Sequence, residues 1–269
     1  MNLSFSNIAW PAEADDAALA ALREEGYAAV EVAPTRLWSD PLQRSAEDAA
    51  EVRAAFERSG FTVVALQSLL FNRPDLQVFG DAESRSGLQD ALVGMARLGA
   101  ALGATRLVFG SPGNRRRGDL PMDEAMARAV EVFERPGREA AELGVAFCIE
   151  ANPTDYGCDF LTSAVESTAF VRAADSPGVR LHLDTACMAL AGDDAAERVR
   201  EGADVLAHVH ASAPQLGPVG PGGPVDHDAM ATALREHGYA GRVSVEMRAQ
   251  DDPVAAVRTS AAFVRSTYA

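Results

Sequence analysis

Short apolar runs alternate with longer amphipathic segments along the whole chain, and the alternation repeats eight times. The runs are rich in Val, Ile, Leu and Phe and read as strands. They cover Leu3–Ala9, Ala28–Ala33, Thr62–Ser68, Arg106–Gly110, Val145–Ala151, Val179–Asp184, Val205–Ala211 and Arg242–Met247. Between them Ala, Leu, Glu and Arg recur at helical spacing near Asp15–Glu25, Ala46–Ser59, Ala82–Leu102, Met122–Leu143, Thr162–Ala174, Asp193–Glu201, Asp226–His237 and Pro253–Ser266. Five of these segments close on a glycine just before the next strand, at Gly26, Gly60, Gly103, Gly144 and Gly238. A glycine there takes the left-handed conformation that ends a helix and returns the chain to a sheet.

Strands joined by helices run parallel, and eight such units of about 30 residues build a closed barrel. The predicted fold is therefore α/β, a single (β/α)8 TIM barrel domain over residues 1–269. An open, doubly wound sheet would normally announce itself with a glycine-rich phosphate loop after the first strand, and the segment SFSNIAW from Ser4 to Trp10 has no glycine. The stretch LGPVGPGGP, from Leu216 to Pro224, is too rich in Gly and Pro for helix or strand. Its place after the seventh strand predicts an active-site loop.

The polar residues inside the last four strands change the picture from fold to chemistry. Side chains two apart on a strand share a face. Cys148, Glu150 and Asn152 therefore point one way on the fifth strand, His182 and Asp184 on the sixth, His208, His210 and Ser212 on the seventh, and Ser244, Glu246 and Arg248 on the eighth. In a barrel the C-terminal strand ends face one volume. Three carboxylates brought there would repel one another, and a divalent cation resolves the conflict. Glu150, Asp184, His210 and Glu246 are thus the expected ligands of one metal ion, with Mn²⁺, Co²⁺ or Mg²⁺ suiting three carboxylates and one imidazole, and Zn²⁺ also compatible. His208 and Cys148, one pleat deeper, are expected to fill or hydrogen-bond the barrel interior.

Charge narrows the partners. The 269 residues carry 39 Asp plus Glu against 24 Lys plus Arg, a net charge of -15, and every one of those cations is arginine. A surface that negative repels nucleic acid and anionic membranes. Three cysteines without CxxC spacing point to a reducing, cytoplasmic compartment, and the N-terminal sequence lacks the basic and apolar regions of a signal peptide. A small-molecule ligand is the remaining expectation, and a homo-oligomer is compatible with it.

Glu150 in CIEANP, Asp184 in LHLDT, His210 in HVHAS and Glu246 in VSVEMR resemble the metal ligands of the xylose isomerase-like TIM barrels, the sugar phosphate isomerase/epimerase superfamily that includes the ketose 3-epimerases. The resemblance runs from SNIAW at the first strand to VSVEMR at the eighth, and it is most specific over IEANPTDYGCDF, LHLDTACM and HVHASAP. It implies a carbohydrate substrate, a metal that chelates a carbonyl and an adjacent hydroxyl oxygen, and Glu150 and Glu246 as the acid/base pair that moves the α-proton through an enediolate. Return of the proton to the opposite face gives epimerisation, and return to the neighbouring carbon gives isomerisation. The sugar-binding positions depart from the ketose 3-epimerase pattern at Asn152 to Tyr156, at Cys187, which replaces a histidine, and at Ala213 and Gly217.

His182, Arg248, Asn152, Gln67, Trp10 and Asn114 complete the expected site as substrate-binding residues, with Asn7 and Glu31 as softer candidates from the first two strands. Asn114 belongs to a loop that continues into Arg115, Arg116 and Arg117, a run suited to an anionic substrate group or to a solvated surface. Three other functions share the same residues. A dehydratase acting on a keto sugar or keto cyclitol needs the same α-proton abstraction. A phosphodiesterase of the endonuclease IV kind needs a trinuclear zinc cluster, for which a chain with five histidines, none in the first four strands, lacks ligands. A non-catalytic sugar-binding barrel would bind metal without turnover.

Overall fold

A computed structural model describes residues 1–269. Its eight strands are β1 (Asn2–Ser6), β2 (Ala29–Val32), β3 (Thr62–Leu66), β4 (Arg106–Phe109), β5 (Ala146–Glu150), β6 (Val179–Asp184), β7 (Leu206–Ser212) and β8 (Arg242–Glu246). They pair in parallel in sequence order, and β8 pairs with β1 to close the barrel. The helices outside are α1 (Asp15–Glu24), α2 (Ala46–Arg58), α3 (Ala82–Leu102), α4 (Met122–Glu142), α5 (Ala164–Ala174), α6 (Thr185–Ala191), α7 (Ala195–Gly202), α8 (His227–Glu236) and α9 (Pro253–Tyr268). None is long and apolar enough to cross a membrane. The five glycines expected to end helices all lie at positive φ.

One helix escapes the sequence pattern. Where a single segment was expected near Asp193–Glu201, the chain forms α6 directly after β6 and then α7. The α6 residues TACMALA are apolar all round and show no amphipathic period. Capping makes the helix: the Asp184 side chain accepts from the Cys187 amide at 2.7 Å, and Gly192 closes the far end at φ 72°.

The layer between barrel and helices is aromatic and aliphatic. Phe133 of α4 meets Phe109 of β4, Phe147 of β5 and Phe170 of α5 edge-on, with ring centroids 5.0 to 6.1 Å apart. Such pairs contribute about 0.5–1.5 kcal/mol each beyond the area they bury. Helix α4 contains Pro136, which cannot donate to the Val132 carbonyl one turn earlier. Gln89 of α3 donates to that carbonyl at 3.1 Å instead, so the break in one helix becomes a tie to its neighbour. Close beside it, Gly178 enters β6 so near α4 that a Cβ there would lie 1.9 Å from the Gly137 carbonyl oxygen.

The barrel interior is polar rather than filled by branched side chains. Ser4, Ser6, Glu31, Gln67, Cys148, His182, His208, His210 and Ser244 are all buried within it or at its upper rim. Strand register stacks them. Glu150 pairs with His182, His182 with His208, Asp184 with His210, His210 with Ser244, and Ser212 with Glu246.

Candidate metal centre

The register brings the expected acids and histidine together at the C-terminal end of the barrel. His210 Nδ1 lies 3.4 Å from Glu246 Oε2, 3.7 Å from Glu150 Oε1 and 3.8 Å from Asp184 Oδ2. Three carboxylates from β5, β6 and β8 thus converge on one ring nitrogen that has no hydrogen-bond partner of its own. The arrangement meets the demands of a divalent ion: hard oxygen donors, one nitrogen, and three acidic groups crowded into one volume. Glu150, His182, Asp184 and His210 also each offer a donor atom within 4.8 Å of the others.

The tautomer of His210 is set from below. Glu31 on β2 is wholly buried, and its carboxylate accepts from His210 Nε2 at 2.9 Å and from His208 Nε2 at 3.0 Å. Burial raises the Glu31 carboxyl, but the two imidazoles outweigh it and hold the group well below the usual carboxylate range. An ionised carboxylate only accepts, so both Nε2 atoms carry the proton and His210 Nδ1 faces the acids. His208 fills the interior as expected, and Cys148 does too, its thiol donating to the Ala146 carbonyl at 3.7 Å.

Charge in the cluster follows from that geometry. Burial lowers the His210 imidazole, yet Glu31, Glu246 and Glu150 overcome it and hold His210 well above its ordinary value. Burial raises Glu246 to about 7 against the pull of His210, and Glu150 and Asp184 push the same way as burial. Asp184 is raised by burial and by Glu150. His182 is held neutral, first by burial and then by the two other histidines.

Two of the three carboxylates are also braced. Asp184 accepts from Ser212 Oγ at 2.6 Å and from the Cys187 amide, so it caps α6 and faces the centre with the same group. Glu150 Oε2 accepts from Asn152 Nδ2 at 2.9 Å. Asn152 Oδ1 in turn accepts from Arg115 Nη2 at 2.8 Å, and the same nitrogen donates to the Glu150 carbonyl. Arg115 is 1 % exposed. The arginine run therefore divides: Arg116 is at the surface, Arg117 binds the Asp159 backbone, and Arg115 lies under Glu150 with no route to a substrate anion. A charge run looks like a solvated loop in sequence, and only the fold shows its first member turned inward.

Above the acids opens a cavity of about 390 Å³, walled by Glu150, Asn152, Tyr156, Asp184, Cys187, Ser212, Gln215, Glu246 and Arg248 among others. Arg248 is its one cationic wall residue and pairs with no carboxylate. The loop after β7 forms one side, with Gln215 and Leu216 both at positive φ. Two hydrogen bonds hold that strained backbone, from the Gln215 amide to the Tyr156 hydroxyl at 3.1 Å and from the Arg248 amide to the Leu216 carbonyl at 2.9 Å. A larger hollow of about 710 Å³ sits among Met1, Tyr27, Phe61 and Arg242 at the opposite face, the stability end of such barrels.

Three expected substrate contacts go elsewhere. Trp10 is buried, packs on Phe5, and spends its indole N–H on Asp15 at 2.7 Å. Gln67 donates to Ser6 inside the barrel. Asn114 donates to the Arg73 and Leu76 carbonyls, at 2.7 Å each, and pins that loop. None of the three lines the cavity. Nearness to a strand end placed them in sequence, but local carbonyls and acids claim their polar atoms. His182 lies beneath the cavity and does not line it.

The family model described as xylose isomerase-like TIM barrel matches residues 19–267. The chain belongs to this family. Among similar proteins, the D-psicose 3-epimerase of Agrobacterium fabrum (strain C58 / ATCC 33970) is 30% identical over 128 residues, which is 47% of this chain and 44% of that protein. The chain matches less than half the length of each such curated relative. The solved structure of an L-ribulose 3-epimerase superposes with a TM-score of 0.83 at 19% identity, covering 100% of this chain and 95% of that one. The IOLI protein, solved with a bound zinc atom, superposes at 0.76 and 19% identity over 100% of this chain and 98% of that one. These superpositions establish a shared barrel.

Proposed function

We propose that the chain is a divalent-metal-dependent epimerase or isomerase acting on a keto sugar or keto-sugar derivative by removing the proton α to its carbonyl. One observation carries the reading: three carboxylates from three strands surround the unpartnered Nδ1 of a histidine whose tautomer Glu31 dictates. Epimerase relatives and a zinc-containing structural neighbour support it. Glu150, Asp184, His210 and Glu246 would hold the ion, with Mn²⁺, Co²⁺, Mg²⁺ and Zn²⁺ as candidates. A divalent ion bound there supplies Lewis acidity that acidifies the C–H beside a carbonyl.

The chain's own groups do the rest. Glu150 and Glu246 exchange the proton with the substrate carbon. Asn152 holds Glu150 in one rotamer, and Ser212 holds Asp184. Arg248, Tyr156 and Gln215 bind substrate oxygens at the cavity wall. The strained β7 loop closes one side against water. Three free, buried cysteines accord with a cytoplasmic enzyme.

The test is deuterium wash-in from D₂O over a panel of keto sugars, with metal content measured alongside. Wild type is expected to exchange and invert its substrate. Glu150→Gln and Glu246→Gln are expected to lose roughly 10²–10⁴-fold in turnover while one of them retains exchange. A fully metallated Glu→Gln variant that inverts at the wild-type rate overturns the assignment. An ultraviolet-absorbing unsaturated carbonyl as product makes the enzyme a dehydratase, and metal binding without exchange makes it a sugar-binding barrel.

A further inference from the structure

His182 is the one imidazole of the cluster without a partner. It is 1 % exposed, and neither ring nitrogen makes a hydrogen bond. His208 and His210 each donate to Glu31, whereas His182 has no such carboxylate below it. A buried imidazole N–H left unpaired is costly, and buried histidines normally avoid that cost by donating to something. The register explains why this one does not. His182 pairs with Glu150 on one side and His208 on the other, so its ring is directed at the acids instead of at a backbone carbonyl.

The distances show what it is directed at. His182 Nε2 stands 3.5 Å from Glu150 Oε1, and His210 Nδ1 stands 3.7 Å from the same oxygen. The His182 and His210 rings are 4.2 Å apart and nearly perpendicular, at 77°. The four residues whose donor atoms fall within 4.8 Å of one another are Glu150, His182, Asp184 and His210. Two donors about 2.0–2.3 Å from one ion lie up to roughly 4.5 Å apart, so the spacing of this quartet is of the size that one shared ion requires.

We infer that His182 is a metal ligand, a second imidazole added to the centre formed by Glu150, Asp184, His210 and Glu246. The inference rests on the metal reading of that site and extends it. A second nitrogen makes the donor set less suited to Mg²⁺ and better suited to Co²⁺, Zn²⁺ and Cu²⁺, because imidazole favours the later first-row ions.

Loading the full chain with Cu²⁺ alone and recording electron spin echo envelope modulation counts the ligating imidazoles without any turnover. Two are expected in wild type, two in His208→Gln and one in His182→Gln. His182→Gln is also expected to lose at least tenfold in Co²⁺ affinity, measured by chelator competition, with Mg²⁺ affinity changed less than threefold. One imidazole in wild type overturns the assignment whether or not His182→Gln folds, and so does one imidazole in His208→Gln. Failure of wild type to take up Cu²⁺, Co²⁺ or Mg²⁺ overturns the metal reading itself.

Discussion

Replacing Gly110 with alanine separates the site from the fold in a single methyl group. Gly110 follows β4, and its φ is outside the left-handed region, so only the space around an added Cβ matters. A Cβ there would lie 2.2 Å from Glu150 Oε2, 3.2 Å from Asn152 Oδ1 and 3.4 Å from Glu150 Cδ. Ordinary contact begins near 3.4 Å, so the carboxylate must retreat by about 1.2 Å and release Asn152 Nδ2, now at 2.9 Å. The displaced atoms are side-chain termini, so the barrel yields cheaply and stability should change by less than about 1 kcal/mol. Catalysis should not yield cheaply. A misplacement of about 1 Å in a reacting group costs on the order of 10²-fold, or about 2.7 kcal/mol of barrier. The assay is kcat/KM for substrate inversion with metal content and urea unfolding in parallel. Gly113→Ala, where a Cβ meets nothing within 4 Å, serves as the control. A metallated Gly110→Ala enzyme with wild-type kcat/KM would refute the claim that Glu150 works from this position.

Gly178→Ala should do the reverse, because its Cβ would strike the Gly137 backbone at 1.9 Å; unfolding should be eased by more than about 3 kcal/mol in urea titrations. Arg115→Met should lower kcat about tenfold by freeing Asn152, while Tm stays level or rises, since an unpaired buried charge is replaced by an apolar chain of similar length. A fall in Tm with kcat intact would assign Arg115 to structure alone. Burial lowers His227, hydrogen-bonded to the Tyr268 hydroxyl at 2.9 Å, from 6.5 to about 4. The unfolded chain therefore takes up that proton first, so stability is whole above pH 6.5 and falls by up to about 3 kcal/mol as pH drops to 4. His227→Gln should remove that share of the acid loss in urea unfolding measured at pH 7 and pH 4, and an unchanged pH slope would count against it.

The barrel and the convergence of Glu150, Asp184, His210 and Glu246 were legible because both rest on strict periods. Strand alternation tells which residues point inward, and parallel order tells which strand ends meet. The supports were not legible, for reasons of distance and competition. Glu31 could be named as an inward acid of β2, but its partners are 177 and 179 residues away across the barrel, where no local period reaches. Arg115 sat in a run whose composition suggests solvent. Trp10, Gln67 and Asn114 sit near strand ends, yet their polar atoms were taken by Asp15, Ser6 and two backbone carbonyls. Helix α6 had no polar face to give it a period, and its capping residue was already spoken for as an acid of the site.

The bridge from Glu31 to β7 also bears on how the chain is made. During synthesis β2 emerges long before β7, and an interior carboxylate without its two imidazoles is a buried charge with nothing to offset it, a state that costs several kcal/mol. The leading half of the chain therefore has reason to stay loosely collapsed until the trailing half arrives, instead of settling as a finished half-barrel. When β7 docks, Glu31 is compensated and the Nδ1 of His210 is oriented in the same step. Closure of the polypeptide and orientation of the His210 imidazole are thus one event.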